Sequence, residues 1–189
     1  MGVQLPPDVV QPRLRGTFGR EYHYAVETAS TQRLLPVGAA HGAVALAEHQ
    51  TAGRGRLGRV WLDEPSAGLT FSVALRPPAP VARWPELTLV AARAVAAAIG
   101  DDATIKPPND VLVDGRKVAG VLAEASDRVV LGVGVNVGSA PWPGAGCVDG
   151  DRLELLVAIL DELERGYEAW LEASRPPPPP SRRQRSPAP

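Results

Sequence analysis

The sequence predicts an α/β (α+β) fold in which a largely antiparallel sheet carries helices, and three observations predict it. Residues 69–75, Leu-Thr-Phe-Ser-Val-Ala-Leu, alternate with period two, as a strand does. From Asp110 onward, apolar segments are joined by tight connections at Asp114-Gly115 and at Ala125 to Asp127, which gives three mutually antiparallel strands. Glu86 to Ile99 and Asp151 to Ala173 repeat their apolar residues at steps of three and four, the period of a helix that buries one face.

Taken in order, residues 1–19 carry Pro6, Pro7, Pro12, Gly16 and Gly19 without periodicity, which predicts a flexible leader joining the fold near Phe18. A short helix is expected between Ala29 and Leu35, capped by the hydroxyl of Ser30 or Thr31 and ended by Pro36 and Gly38. Ala43 to His49 is apolar enough for a buried strand that runs directly into a glycine-rich loop. In the strand 69–75, Leu69, Phe71, Val73 and Leu75 share the face that seeks the core. The Ala-rich helix 86–99 has Leu87, Val90, Ala91, Ala94, Val95 and Ala98 on one stripe and stops at Gly100. Strands follow at 110–113, 117–124 and 128–137. The last helix presents Leu153, Leu156, Leu160, Leu163, Tyr167 and Trp170, with Gly166 weakening its interior by about 1 kcal/mol. Arg175 and the prolines after it predict a disordered, Pro-rich basic tail. The chain thus divides into a leader at 1–19, one domain at 20–174 and a tail at 175–189.

Composition narrows the function. An apolar share of 44% and a charged share of 22% belong to an ordinary globular protein. Twenty Lys and Arg balance twenty-one Asp and Glu, so the whole chain has no attraction to nucleic acid or to acidic membranes. The longest apolar stretch, Leu87 to Ile99, is short for a membrane span and holds Arg93. The N-terminus lacks the basic and apolar regions of a secretion signal. Cys147 is the single cysteine, so neither an internal disulfide nor a thiolate metal cluster can form, and a cytoplasmic location is expected. His23, His41 and His49 have no metal-ligand spacing.

The segment Gln50-Thr-Ala-Gly-Arg-Gly-Arg-Leu-Gly-Arg-Val-Trp61 holds three glycines (Gly53, Gly55, Gly58) and three arginines (Arg54, Arg56, Arg59). Glycines let amides turn inward, and guanidinium groups pair with phosphate or carboxylate oxygens. A small-anion site, a solvated basic turn and an RNA-gripping Arg-Gly segment all fit that composition, and tethering between a buried strand and Trp61 favours the first. It is neither a triphosphatase phosphate loop nor a dinucleotide fingerprint. In Thr104-Ile-Lys-Pro-Pro-Asn-Asp110 the prolines stiffen the backbone between Lys106 and Asn109. Lys106 is there a point charge for an anion or an exposed turn lysine, and Asp110 a ligand-side group or a turn cap. Gly120 and Gly134, inside strands, mark a ligand lying on the backbone or a sheet bulge. Asn136, in an apolar strand, needs a partner in the backbone or in a nucleotide.

Read together, Glu48-His-Gln-Thr-Ala-Gly-Arg-Gly-Arg-Leu-Gly-Arg-Val-Trp61, Lys106-Pro-Pro-Asn-Asp-Val-Leu-Val113, Lys117-Val-Ala-Gly-Val-Leu122 and Gly132-Val-Gly-Val-Asn136 resemble the catalytic domain of biotin-protein ligases, which are related to lipoate-protein ligases. The resemblance implies a mixed, largely antiparallel sheet flanked by helices, akin to the catalytic domain of class II aminoacyl-tRNA synthetases. It implies a ligase that makes biotinyl-AMP from biotin and ATP with Mg²⁺, then transfers biotin to a lysine of a biotin carboxyl carrier protein. A lipoate or other acyl-adenylate ligase, or an inactive homologue that binds an anion or RNA, are the alternatives. Ser30, Thr31, Gln32, Gln50, Gly53 and Arg54 are implied around the biotin ring. Arg56 is implied at the carboxylate and the nucleotide α-phosphate, Arg59 and Trp61 in a flexible loop that orders over the adenylate, and Gly55 as a further ligand-binding residue. Lys106, Arg54 and Arg56 are implied as catalytic cations, and Asn109, Gly120 and Asn136 as further ligand-side residues, with no protein-bound metal. A homodimer is a candidate assembly; no membrane and no DNA partner are expected. The chain departs from the family in having Gln32 for an asparagine and Pro107 for a tryptophan, which implies a lost aromatic wall beside the ligand.

Overall fold

Leu69–Leu75 is buried at all seven positions, on the Thr70 and Ser72 side as well as the apolar side, so it is a central strand covered on both faces. A computed structural model describes residues 3–175 and supplies both covers. Its elements are α1 (Pro7–Val10), β1 (Tyr22–Thr28), α2 (Thr31–Leu34), β2 (Val44–Gln50), β3 (Leu69–Leu75), α3 (Leu87–Ile99), β4 (Ala103–Lys106), β5 (Asp110–Val113), β6 (Arg116–Ala125), β7 (Val129–Val135) and α4 (Arg152–Ala173). Among the described residues seven strands form one sheet in the order β1-β2-β3-β7-β6-β5-β4. β1 runs parallel to β2, and every other neighbouring pair is antiparallel. The expected mixed, largely antiparallel sheet with helices is thus the observed one.

On one face, α3 and α4 pack over Val44, Leu46, Phe71, Val73, Leu131 and Val133 to make the main core. The two helices approach so closely that a Cβ on Gly166 would stand 3.2 Å from Val90 Cγ1, which accounts for a glycine inside a helix. Asp151 caps α4, its Oδ1 accepting from the amides of Leu153 at 2.8 Å and Glu154 at 2.9 Å. The other face is covered by α2 and its flanks, where Leu35, Ala39, Ala43, Ala45, Ala74 and Val130 form a smaller core. Next to that smaller core the sheet is left open for a site.

Several expectations need correction. The segment expected to be a flexible leader packs onto the domain: Leu5, Val10, Leu14 and Phe18 are buried, and the Leu5 amide donates to Glu48 Oε1 at 2.8 Å. Its apolar residues are spread over one turn of α1, a 3₁₀ turn at Gln11–Arg13 and loops, so no single period reveals them. β1 and β4, the two edge strands, were not anticipated; both are partly exposed and mix polar with apolar residues. Ser30 precedes α2 without a side-chain cap bond. Thr31 instead joins its hydroxyl to Ser72 Oγ at 2.8 Å. The expected proline tail lies outside the described residues from 176 on.

A buried ion pair fastens these parts together. Arg152 Nη2 donates to Glu48 Oε2 at 2.8 Å, with the two side chains 8% and 1% exposed. Removing one member of a buried pair strands the other charge, at a cost of about 3–5 kcal/mol. Glu48→Ala is therefore expected to lower the unfolding free energy by that amount, read as a lower urea midpoint with an unchanged slope; a loss below about 1 kcal/mol would contradict the assignment.

Glu164 on α4 holds the N-terminal segment. Its carboxylate accepts from the Thr17 amide at 2.9 Å and from the Phe18 amide at 3.3 Å. Burial pushes its carboxyl up, but these hydrogen bonds and that of the Thr17 hydroxyl outweigh it, so the net direction is below the ordinary glutamate value. A lowered native value means stability that is present above the unfolded-state value and lost as pH falls through the native one. Thermal scans from neutral pH down through the carboxylate range should show wild type losing more stability than Glu164→Gln.

Candidate functional site

The Arg-Gly segment folds as a hairpin lying over the open part of the sheet. Trp61 N donates to the Gly53 carbonyl at 3.0 Å and Gly55 N to the Arg59 carbonyl at 2.7 Å, with Arg54 and Val60 bridged between. The tip turns through Leu57 (φ 58) and Gly58 (φ 74), and Leu57 is 89% exposed there. A Cβ at Gly53 would collide with the Trp61 carbonyl, so glycine is required where the two arms cross.

Beneath the hairpin lies a cavity of about 180 Å³ bounded by α2, β6 and β7. Ser30, Thr31, Gln32, Gln50, Arg54, Gly55, Arg56, Arg59, Trp61, Asn109 and Gly120 line it, together with Lys117, Leu122, Gly132, Gly134 and Trp142. One group of residues is polar and uncharged: Gln50 Oε1 accepts from the Thr31 amide at 2.8 Å and its hydroxyl at 3.2 Å. A second group is cationic, and each cation has a partner. Arg54 Nη2 lies 2.7 Å from Glu124 Oε2. Arg56 Nη1 donates to Asn109 Oδ1 at 3.0 Å, and Asn109 Nδ2 donates to the Val121 carbonyl at 3.1 Å. Lys117 Nζ stands 2.7 Å from Asp110 Oδ1. That last contact is a charge pair without hydrogen-bond alignment, since Asp110 Oδ1 is buried and has no hydrogen-bond partner.

Trp61 explains the strand glycines. A Cβ at Gly134 would collide with its indole, and one at Gly120 would stand 3.2 Å from the ring. The Lys117 ammonium is 5.7 Å from the ring centroid. Both glycines therefore make room for the indole in this state, and β6–β7 pairing continues in register across Gly120 and Gly134 without a bulge.

Three sequence expectations fall outside the cavity. Lys106 is exposed at the end of the edge strand β4, whereas Lys117, on the more central β6, reaches the cavity. Asn136 is buried and gives its Nδ2 to the Gly146 carbonyl at 2.8 Å, so its partner is the backbone. Gly53 shapes the hairpin from beyond the cavity wall. Pro107 is also exposed and outside the lining, so it supplies no wall to the cavity. Lys117, Glu124 and Trp142 were missed as site residues. For Lys117 the signal was a cation opening an apolar strand, but sheet order decides which lysine faces the cavity.

The hairpin's two ends meet at Asp63, which accepts from the Gln50 amide at 3.1 Å and lies 3.5 Å from His49 Nδ1. Burial pushes the Asp63 carboxyl above its ordinary value, against the pull of the Gln50 amide and His49. No cluster of three or more His, Cys, Asp or Glu side chains able to hold a metal occurs among the described residues. The arrangement suits a ligand that combines an uncharged polar head with an anionic group: amide and hydroxyl for the first, guanidinium and ammonium for the second. Gly134→Ala is expected to push Trp61 off the sheet, changing near-ultraviolet dichroism and tryptophan quenching by acrylamide while far-ultraviolet dichroism stays the same. Unaltered tryptophan signals would disprove that packing.

With this geometry established, known proteins give its kin. Residues 27–137 match the model of the Biotin/lipoate A/B protein ligase family. The chain is 39% identical over 182 residues to the biotin--[acetyl-CoA-carboxylase] ligase of Mycobacterium tuberculosis, covering 84% of this chain and 68% of that protein. It is 41% identical over 134 residues to the bifunctional ligase/repressor BirA of Bacillus spizizenii, covering 64% of this chain but only 41% of that protein. The biotin protein ligase from Aquifex aeolicus in complex with biotin and ATP has a similar fold, with a TM-score of 0.73 and 32% identity over 82% of this chain and 73% of that one.

Proposed function

From the premise that this chain belongs to the Biotin/lipoate A/B protein ligase family, we propose that it activates biotin with ATP as biotinyl-AMP and passes the biotinyl group to a lysine of a biotin carboxyl carrier protein. The observation that carries this is a single cavity joining the Thr31–Gln50 hydroxyl–amide pair to Arg54, Arg56 and Lys117. Ser30, Thr31 and Gln50 suit a neutral ureido ring, which needs both donors and acceptors. Arg56 and Lys117 suit the carboxylate and the α-phosphate.

In the first step the biotin carboxylate oxygen attacks the α-phosphorus, forming the acyl–phosphate bond as the bond to pyrophosphate breaks. The residues act by positioning and by stabilising negative charge on the transferring group. Lys117 takes the role that the resemblance alone gave to Lys106, because it is the lysine in the cavity. Mg²⁺ would arrive with the triphosphate, and Asp110, whose Oδ1 lies 2.7 Å from Lys117 Nζ, is one carboxylate of the kind that completes such a site. Bound there, it would offset phosphate charge. The hairpin covers the cavity and would keep water from the mixed anhydride. In the second step the acceptor's neutral lysine amine attacks the acyl carbon and AMP leaves. The implied likeness to class II aminoacyl-tRNA synthetase domains agrees with that two-step chemistry.

Arg56 turns inward to Asn109, and Arg54 is tied to Gln32 and Glu124 at the cavity's edge, which favours the small-ligand reading of the loop over RNA binding. The test is biotin-dependent exchange of labelled pyrophosphate into ATP, followed by transfer of labelled biotin to a carrier domain. Lys117→Ala should lower exchange by about 10²-fold or more, the size of losing one positioned charge-stabilising donor, while Lys106→Ala should stay within about twofold. Exchange with lipoate but not biotin would overturn the acid assignment, and exchange with neither would overturn the ligase.

A further inference from the structure

α2 is a single turn, Thr31–Leu34, without a side-chain cap, and one turn of helix does not hold itself together in water. Its place beside the cavity therefore comes from tertiary contacts. At its front the Thr31 amide donates to Gln50 Oε1 and the Thr31 hydroxyl joins Ser72 Oγ, each at 2.8 Å. In its middle Gln32 Nε2 donates to the Leu122 carbonyl at 3.3 Å and packs where a Cβ on Gly132 would be 3.2 Å away. At its rear Arg128 completes the set: Nη1 donates to the carbonyls of Pro36 at 2.6 Å and Val37 at 2.7 Å, and Nη2 to that of Leu35 at 3.5 Å.

Arg128 is 8% exposed, and its neighbour Asp127 lies against Arg76 at 3.5 Å. The partners of this buried cation are thus three successive carbonyls. A guanidinium can span them because it presents several donors in one plane, which an ammonium does not. Side chains alternate along a strand, so Arg128, Val130, Gly132 and Gly134 form one row on one face of the sheet. Val130 belongs to the smaller core around α2, and Gly132 and Gly134 line the cavity. The row that floors the cavity begins with the residue that grips the end of its α2 wall.

We propose that Arg128 is a positioning residue for the acid substrate. It does not line the cavity and acts through α2: by clamping Leu35, Pro36 and Val37 to the head of β7, it sets Ser30, Thr31 and Gln32 at their height above Gly132 and Gly134. This rests on the reading of the cavity as the site of biotin activation, in which the α2 residues receive the uncharged ring while Arg56 and Lys117 face the phosphate. The effect is selective on that account. Arg128 governs affinity for the acid and leaves ATP alone.

The test is pyrophosphate exchange by the full chain, with biotin and ATP varied in turn. Arg128→Met keeps the length of the stem and removes the donors. It should raise KM for biotin about tenfold, the reach of one lost hydrogen bond to a charged group, with kcat and KM for ATP within about twofold of wild type. A merely structural role would instead reduce the folded fraction, lowering apparent kcat and moving neither KM. Arg128→Lys, which keeps the cation but not the fork, should raise KM for biotin about threefold. Arg76→Met removes that residue's bonds to the Val37 and Ala39 carbonyls and leaves the Arg128 clamp in place, so KM for biotin should stay within about twofold. A fall in kcat alone, equal rises in both KM values, or a rise in Arg76→Met as large as in Arg128→Met would each overturn the proposal. Amide hydrogen exchange supplies an arm that needs no ligase activity: residues 31–39 should exchange faster in Arg128→Met, with α4 unchanged. Unaltered exchange at 31–39 would overturn the clamp, whereas failure of wild type to use biotin would overturn the ligase reading, so the two failures are told apart.

Discussion

The buried Glu48–Arg152 pair is the constraint on which the site's frame depends. Glu48 lies two residues before the hairpin begins, and it accepts from Arg152 at the start of α4, from the Leu5 amide and from the Tyr24 hydroxyl. Arg152 also donates to the carbonyls of Val3 and Gly68. N-terminal segment, β1, β2, the return from the hairpin and the long helix thus converge on two side chains. An ion pair this buried gains little net free energy from its charges alone, but its remaining donors and acceptors are met by the backbone of Val3, Leu5 and Gly68 and by the Tyr24 hydroxyl. Its consequence is geometric: both ends of the hairpin leave and rejoin a fixed point, while the hairpin's own contacts can stay weak.

Above that frame, three of the cavity's cations are held by internal partners of graded strength. Asn109 is neutral and holds Arg56 by one hydrogen bond; Asp110 holds Lys117 by charge without alignment; Glu124 holds Arg54 at an exposed edge. Unpaired, these cations would repel one another in a partly dry cavity, so the internal partners offset that repulsion. Under the proposed function the same partners give way to phosphate or carboxylate oxygens, which offer several acceptors at once. The neutral Asn109 yields most easily, because displacing it leaves no stranded charge.

The central strands and both long helices were legible because each follows one period: alternation in 69–75 and steps of three and four in α3 and α4. The Arg-Gly hairpin was legible from local chemistry, since glycines and arginines at close spacing have few uses. Edge strands β1 and β4 were not, because an edge needs no uniform apolar face. Nor was the N-terminal packing, which depends on Leu5, Val10, Leu14 and Phe18 meeting surfaces far along the chain. The choice between Lys106 and Lys117 required the order of strands in the sheet: β4 is an edge and β6 is not, a fact that no local window contains. Asn136 was correctly expected to need a partner, but which partner depended on the loop that returns through Gly146.

Gly120 and Gly134 raise a subtler point. Glycine in a strand signals that something lies against the backbone, and that inference holds here, yet the occupant is the chain's own Trp61. An indole is flat and apolar, with a polar edge, and it covers the glycine floor. Lys117 lies near both the ring and Asp110, so a ligand that moves Trp61 also changes the setting of Lys117.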